Sequence, residues 1–299
     1  MTGASAPPDK ALRLMLLATM AVWGGNLSVI KLLIERFDPL WVSALRMVVA
    51  SLALIAVLHW RGLSWPRPNR RQALLLLACA ALMVYFNQIF FTLGMQRTAA
   101  ANAALIIALN PLVSALVAAL FLGDRLTPAR LAGVVLGFGG VAAVVLNQPG
   151  AVLGHGSLGD LLVLGSVVTW VSGGVLVQRL ARQLDSAVVS AVVFGLGTVM
   201  LLLHLALVPG IPSPDPARWT VGLVLLLLAS GLLASAFGAL VWNRALTTLG
   251  VARTALYAYW VPIFGVAFAV VVLGEPLTVW HGVGLAGVLS GTWLGTRTH

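Results

Sequence analysis

The side chains in this chain that could do chemistry are few, and most carry no charge. Inside long apolar runs lie Trp23 and Asn26 (WGGN), Tyr85, Asn87 and Gln88 (YFNQ), Asn102, Trp170 and Ser172 (WVS), Tyr257 and Trp260. An amide buried in hydrocarbon without a partner is costly, so these groups must face a cavity or another helix. Aromatic rings with a few amides make a wall suited to a solute with an aromatic or apolar side chain and a zwitterionic head. For any one ring, ordinary helix packing explains it equally well; for the set, packing explains less. One formal charge, Arg46, also falls inside an apolar run, roughly 10 Å from its end at 1.5 Å per residue. It could attract a substrate carboxylate, latch a gate, snorkel to the interface, or hold the carbonyls of a neighbouring helix end.

The absences narrow the chemistry further. The eight acids (Asp9, Glu35, Asp38, Asp124, Asp160, Asp185, Asp215 and Glu275) all lie in loops or at the ends of apolar runs. Proton-coupled exporters need a titratable group within the membrane, so this pattern favours cargo moving down its own gradient. His59 and His204 fall near run ends, where an interfacial role is expected. The lone Cys79 excludes a disulfide or a cysteine metal site within one chain. No metal-ligand cluster and no nucleotide-binding motif is present, so neither a metal nor a cofactor is expected. A membrane-embedded enzyme would need a nucleophile with its base, and none is seen.

The elements that position these residues follow from composition. Of 299 residues, 60% are hydrophobic and 9% charged, with a mean hydropathy of +1.02. Soluble domains carry about 25% charged residues, so the natural solvent is a bilayer. The net charge of +10 does not indicate nucleic-acid binding, because the basic residues sit singly between apolar runs rather than on one face. The first run follows MTGASAPPDK without an A-x-A-like cleavage site and is expected to be a retained span.

A crossing helix needs about 20 apolar residues. Ten segments qualify: 11–33, 39–59, 72–94, 99–122, 128–147, 158–179, 186–208, 219–243, 250–273 and 277–296. With ten crossings both termini share a side. Thirteen Lys and Arg residues fall on that side and four on the other, which predicts cytoplasmic termini.

The chain also repeats itself. LGDRLTP (122–128) returns as LGEPLTV (273–279), and Pro111 and Pro262, Asp124 and Glu275, and Thr127 and Thr278 are each 151 residues apart. Five helices, an odd number, separate the copies, so the second inserts upside down. Arg125 and Arg130 align with Pro276 and His281, as the charge rule demands on the opposite side. More weakly, Trp23 aligns with Trp170 and Asp38 with Asp185. Inverted repeats are the signature of secondary transporters, with the substrate site at the midplane between halves. Pro111 and Pro262 lie mid-span, where proline kinks a helix; they are candidate hinges or fixed bends. Gly133 and Gly137, and Gly287, Gly291 and Gly295, form small-xxx-small stripes on the fifth and tenth spans. Packing of these two spans on each other is expected, with dimerisation as the alternative.

Ten spans, the WGGN and WVSGG stretches, the arginine of ALRMVVAS and the doubled LGDRLTP/LGEPLTV phrase resemble the drug/metabolite transporter superfamily, in particular its EamA-type exporters. Within that family the chain looks most like the bacterial exporters of amino acids and related metabolites, in particular the aromatic amino acid exporters of the YddG type. The resemblance covers nearly the whole chain and reports architecture more than substrate. It implies an all-α multi-pass membrane protein of ten transmembrane helices, arranged as two inverted five-helix repeats over residues 1–147 and 148–299. The expected function is export of a small metabolite, foremost an aromatic or apolar amino acid, across the bacterial inner membrane by alternating access. A proton-coupled multidrug or small amino acid (threonine-like) exporter is the alternative. Lipid and a small-molecule substrate are the expected partners, nucleic acid is not, and the monomer is the expected functional unit. The expected substrate wall is Trp23, Asn26, Tyr85, Asn87, Gln88, Asn102, Trp170, Ser172, Tyr257 and Trp260, with Arg46, Pro111 and Pro262 as gate and hinges.

Overall fold

A computed structural model describes residues 10–97, 127–147, 158–180, 183–273 and 279–296, with scattered positions between 103 and 117. There is no strand among the described residues. α1 is Lys10–Ile34 and α2 is Pro39–Trp60. Asp38 starts α2: its Oδ1 accepts from the Leu40 N–H at 2.8 Å and the Trp41 N–H at 3.4 Å, and Pro39 follows. That is the preferred N-cap chemistry, since the first helical N–H groups have no partner within the helix and proline lacks one altogether. α3 is Arg70–Arg97, opened by a reciprocal Asn69–Gln72 capping box. Its middle, Ala81–Phe86, is a π-helical turn.

α4 is Pro128–Leu146, α5 is Leu158–Leu180 and α6 is Ser186–Leu207. Asp185 caps α6 as Asp38 caps α2, accepting from the Ala187 N–H at 2.7 Å. α7 is Val221–Leu249, and it too carries a π-helical stretch, Ser230–Phe237. α8 spans 251–273 as Val251–Leu256, a 3-10 turn Tyr257–Tyr259, and Trp260–Leu273. α9 is Val279–Thr296. In the expected fourth span, 99–122, the positions described as helical are Ala103, Ile106, Ile107, Asn110, Pro111, Val113, Ser114 and Val117.

Six of the described helices (α1, α2, α3, α5, α6 and α7) are long and apolar enough to cross a membrane. Their outer faces carry Leu52, Leu74, Leu161, Val199, Leu203 and Leu225, each more than half exposed. So continuous an apolar surface is a lipid-facing belt, not a water-facing one.

The main core joins Leu12, Leu16, Leu54, Leu58, Leu76, Leu180, Leu246 and Val251. These residues belong to the end of the bundle where the chain begins. A separate seam joins α4 to α9. A methyl group on Gly140 would lie 2.9 Å from the Gly287 Cα, and one on Gly291 would lie 2.6 Å from the Gly133 carbonyl oxygen. Only glycines allow backbones to approach this closely. The glycine stripes therefore meet within one chain.

Candidate functional site

A cavity opens between α1, α2, α3, α5, α6, α7 and α8, with Ile107 and Asn110 also on its wall. It offers about 160 Å³ to the centres of water molecules. One water needs about 10–15 Å³ on that measure, so the space admits a solute of amino-acid size.

Its aromatic side is built on Trp23 and Trp170. The two indoles meet edge to face, with ring centroids 5.8 Å apart at 81°. Buried Trp242 backs both, at 5.2 Å from Trp23 and 6.0 Å from Trp170. Trp23 is held by its Nε1–H, which donates to the Ala234 carbonyl at 2.8 Å. Ala234 lies in the π-helical part of α7, where the widened turn redirects carbonyls out of the regular helical ladder. Gly238 makes room: a methyl group there would lie 2.7 Å from the Trp23 Nε1.

The polar side is a ribbon of side-chain hydrogen bonds. Asn87 Nδ2 donates to the Ser166 carbonyl at 2.9 Å, and its Oδ1 accepts from Gln88 Nε2 at 3.2 Å. Gln88 Oε1 accepts from Arg46 Nη1 at 3.5 Å, and Arg46 Nη2 donates to Ser235 Oγ at 3.3 Å. Ser235 donates to the Ser230 carbonyl at 3.3 Å, and Ser230 Oγ donates to Asn26 Oδ1 at 2.6 Å. On the remaining wall, Asn110 Oδ1 accepts from Ser114 Oγ at 3.3 Å. Arg46 is 4% exposed, its Nε has no partner, and no carboxylate pairs with it among the described residues.

Of the residues expected from sequence, the structure brings Trp23, Asn26, Arg46, Asn87, Gln88 and Trp170 to the cavity wall. It puts Tyr85, Ser172, Tyr257 and Trp260 outside the described lining. Tyr85 turns to α6, where its hydroxyl hydrogen-bonds His204 Nδ1 at 2.9 Å; two groups expected to be separate, one in a wall and one at an interface, instead satisfy each other. Tyr257 is buried in the main core, and Trp260 packs on Phe264 at 5.7 Å. Pro111 and Pro262 are buried, and each directly follows a cavity-lining residue, Asn110 and Val261. The residues four before them, Ile107 and Ala258, both line it. Asn102 lies outside the described residues.

Sequence reasoning missed Ser166, Ser235, Asn110 and Trp242. A serine in a helix satisfies itself on its own backbone, as Ser166 does on the Val163 carbonyl at 2.6 Å. Nothing in the sequence signals which serine faces a cavity. Trp242 did carry a signal: it sits one position before Asn243, a second polar group mid-helix.

The EamA-like transporter family matches this chain twice, over residues 12–146 and 157–297. An uncharacterized transporter of Archaeoglobus fulgidus is 30% identical over 285 residues, covering 95% of this chain and 96% of that protein. A "Probable terminal-alkyne amino-acid exporter" of Streptantibioticus cattleyicolor is 31% identical, covering 92% of this chain and 91% of that one. A "Probable amino-acid metabolite efflux pump" of Salmonella typhimurium is 26% identical, covering 93% and 92%. One solved crystal structure superposes with a TM-score of 0.78 at 20% identity, covering 95% of this chain and 96% of that one.

Proposed function

We propose, for a chain that belongs to the EamA-like transporter family and is accordingly a multi-pass membrane transporter, that its cargo is an amino acid with an aromatic or apolar side chain. The observation that carries this reading is the shared cavity of Trp23 and Trp170, faced by Asn26, Asn87 and Gln88. The indole pair suits an aromatic or aliphatic side chain, and the amides suit a polar head. The amino-acid exporter names of two relatives point the same way.

The architecture behind this proposal is ten helices in two inverted five-helix repeats, over 1–147 and 148–299, working by alternating access. Several relationships support it. α2 and α6 are each 22 residues long and are capped by Asp38 and Asp185, 147 residues apart. Trp23 and Trp170, in contact, are also 147 apart. The π-helical stretches of α3 and α7 overlap at a spacing of 151 residues, the spacing of Pro111 and Pro262 and of the cavity-lining Ile107 and Ala258. We place the termini in the cytoplasm on the charge asymmetry of the loops, and the protein in the bacterial inner membrane on its family. Transport runs down the cargo gradient as a monomer, with no carboxylate in the cavity wall among the described residues to carry a proton.

The test is counterflow of radiolabelled tryptophan into proteoliposomes, with threonine as competitor and a pH gradient on or off. Tryptophan exchange without a gradient, resistant to threonine, is the expected result. Full competition by threonine would reduce the aromatic wall to packing. Dependence on the gradient would require a proton carrier.

A further inference from the structure

We infer that Arg46 is the docking point for a carboxylate on the cargo, and that the cavity prefers carboxylates whose amine is blocked or absent over free zwitterionic amino acids. The inference rests on the reading of this cavity as the cargo site.

The argument begins with charge. Arg46 is almost wholly buried on the cavity wall, and a buried cation is ordinarily paired. Its two hydrogen bonds, to Gln88 Oε1 at 3.5 Å and Ser235 Oγ at 3.3 Å, go to neutral groups and are long, against about 2.7–2.9 Å for a charge-assisted bond. Its Nε–H has no partner. A guanidinium offers five donors in a planar fork matched to a carboxylate. Here the fork is lodged in a protein cavity and incompletely used. An incoming carboxylate would neutralise the charge. Neither packing nor snorkelling accounts for it: the side chain is inside the bundle, beside the aromatic wall of Trp23 and Trp170.

The second step concerns the other end of the cargo. An ammonium group is best met by a carboxylate, and the wall offers it only neutral amide oxygens that each already accept one hydrogen bond: Asn26 Oδ1 from Ser230, Asn87 Oδ1 from Gln88, Gln88 Oε1 from Arg46, and Asn110 Oδ1 from Ser114. No carboxylate lines the cavity among the described residues. A zwitterion would pair its carboxylate with Arg46 but set its ammonium against neutral acceptors, leaving the cavity with a net positive charge. An N-acylated amino acid, a keto acid or an aryl carboxylate would bring the cavity to neutrality.

The experiment uses the full chain in lipid nanodiscs and equilibrium dialysis with matched probes. N-acetyl-tryptophan and N-acetyl-tryptophanamide differ only in the carboxylate; tryptophan adds the free amine; hexanoate and hexanamide repeat the comparison without an indole. The wild type is expected to bind N-acetyl-tryptophan about tenfold tighter than its amide, and tighter than tryptophan. Arg46→Gln should bring acid and amide within about twofold of each other, and Arg46→Lys, which keeps a point charge without the fork, should retain part of the preference. Equal binding of acid and amide by the wild type, a preference that survives Arg46→Gln, or tighter binding of tryptophan than of its N-acetyl form would overturn the inference. The wild-type comparison and Arg46→Lys decide the matter if Arg46→Gln does not fold. Preference for hexanoate over hexanamide with no binding of any indole would uphold Arg46 and sink the aromatic reading of the cargo. Binding of the indoles without acid preference would do the reverse, and silence from every probe would overturn both.

Discussion

Ser51 on α2 and Thr198 on α6, 147 residues apart in the chain, hydrogen-bond hydroxyl to hydroxyl at 2.8 Å in the interior. Thr198 Oγ1 also donates to the Met47 carbonyl at 3.1 Å. A hydroxyl has one proton, so Ser51 is the donor of the pair. Thr198→Val, close in shape, should strand the Ser51 proton, and Ser51→Ala should leave Thr198 with its backbone bond. A double-mutant cycle on thermal unfolding in detergent should give a coupling of about 0.6 kcal/mol, the average for hydrogen bonds between membrane helices, and no more than about 1.7 kcal/mol. Additivity of the two changes would mean that the contact does not bind α2 to α6.

Trp23 and Trp170 touch the same space but are held differently. Trp23→Phe removes the donor to the Ala234 carbonyl inside the π-helical part of α7. An unpaired buried acceptor costs about 1–3 kcal/mol, so Trp23→Phe should lower the unfolding temperature and transport together. Trp170→Ala removes one ring of the edge-to-face pair, worth about 0.5–1.5 kcal/mol, and should weaken binding of an aromatic cargo severalfold. Unfolding curves and counterflow on the same preparations separate the two effects.

How far the sequence alone reaches can be judged helix by helix. Continuous apolar runs and polar caps set helix limits closely: 39–59 against Pro39–Trp60, 158–179 against Leu158–Leu180, 186–208 against Ser186–Leu207. The caps were readable because Asp38-Pro39 and Asp185-Ser186 satisfy orphan N–H groups locally. The π-helical turns in α3 and α7 were not readable. An extra residue in a turn is set by what the neighbouring helix offers its freed carbonyls, as Trp23 offers Ala234. For the same reason the sequence found the amides Asn26, Asn87 and Gln88, whose polarity in hydrocarbon demands a partner. It missed Ser166 and Ser235, whose hydroxyls find acceptors on their own helices. Tyr85 looked like a wall residue because its partner, His204, is 119 residues away.

That pairing gives a prediction in which little should happen. Tyr85→Phe removes the bond to His204 and lies outside the described cavity lining. It should cost about 0.6 kcal/mol of stability, the average for such a bond between membrane helices, and leave the KM for cargo unchanged. A KM raised severalfold in counterflow would return Tyr85 to the substrate wall.

The seam between α4 and α9 separates intramolecular packing from dimerisation. A methyl group on Gly140 would meet the Gly284 carbonyl at 2.8 Å and the Gly287 Cα at 2.9 Å; one on Gly287 would meet the Gly140 Cα at 2.7 Å. These are backbone atoms, which cannot swing aside as a flexible side chain can. Gly139 and Gly282, on the same two helices, have nothing within 4 Å of such a methyl group. Replacing glycine by alanine in a helix is otherwise favourable by about 1 kcal/mol. Gly139→Ala and Gly282→Ala should therefore hold or raise the unfolding temperature. Gly140→Ala and Gly287→Ala should lower it, because forced overpacking costs about 1–3 kcal/mol. Since the clashing atoms belong to the same chain, the elution volume of the folded protein should not move. If Gly139→Ala or Gly282→Ala instead shifted the elution volume, those outward-facing glycines would be contacting a second copy. The stripe inside the chain and the stripe outside it would then serve different interfaces.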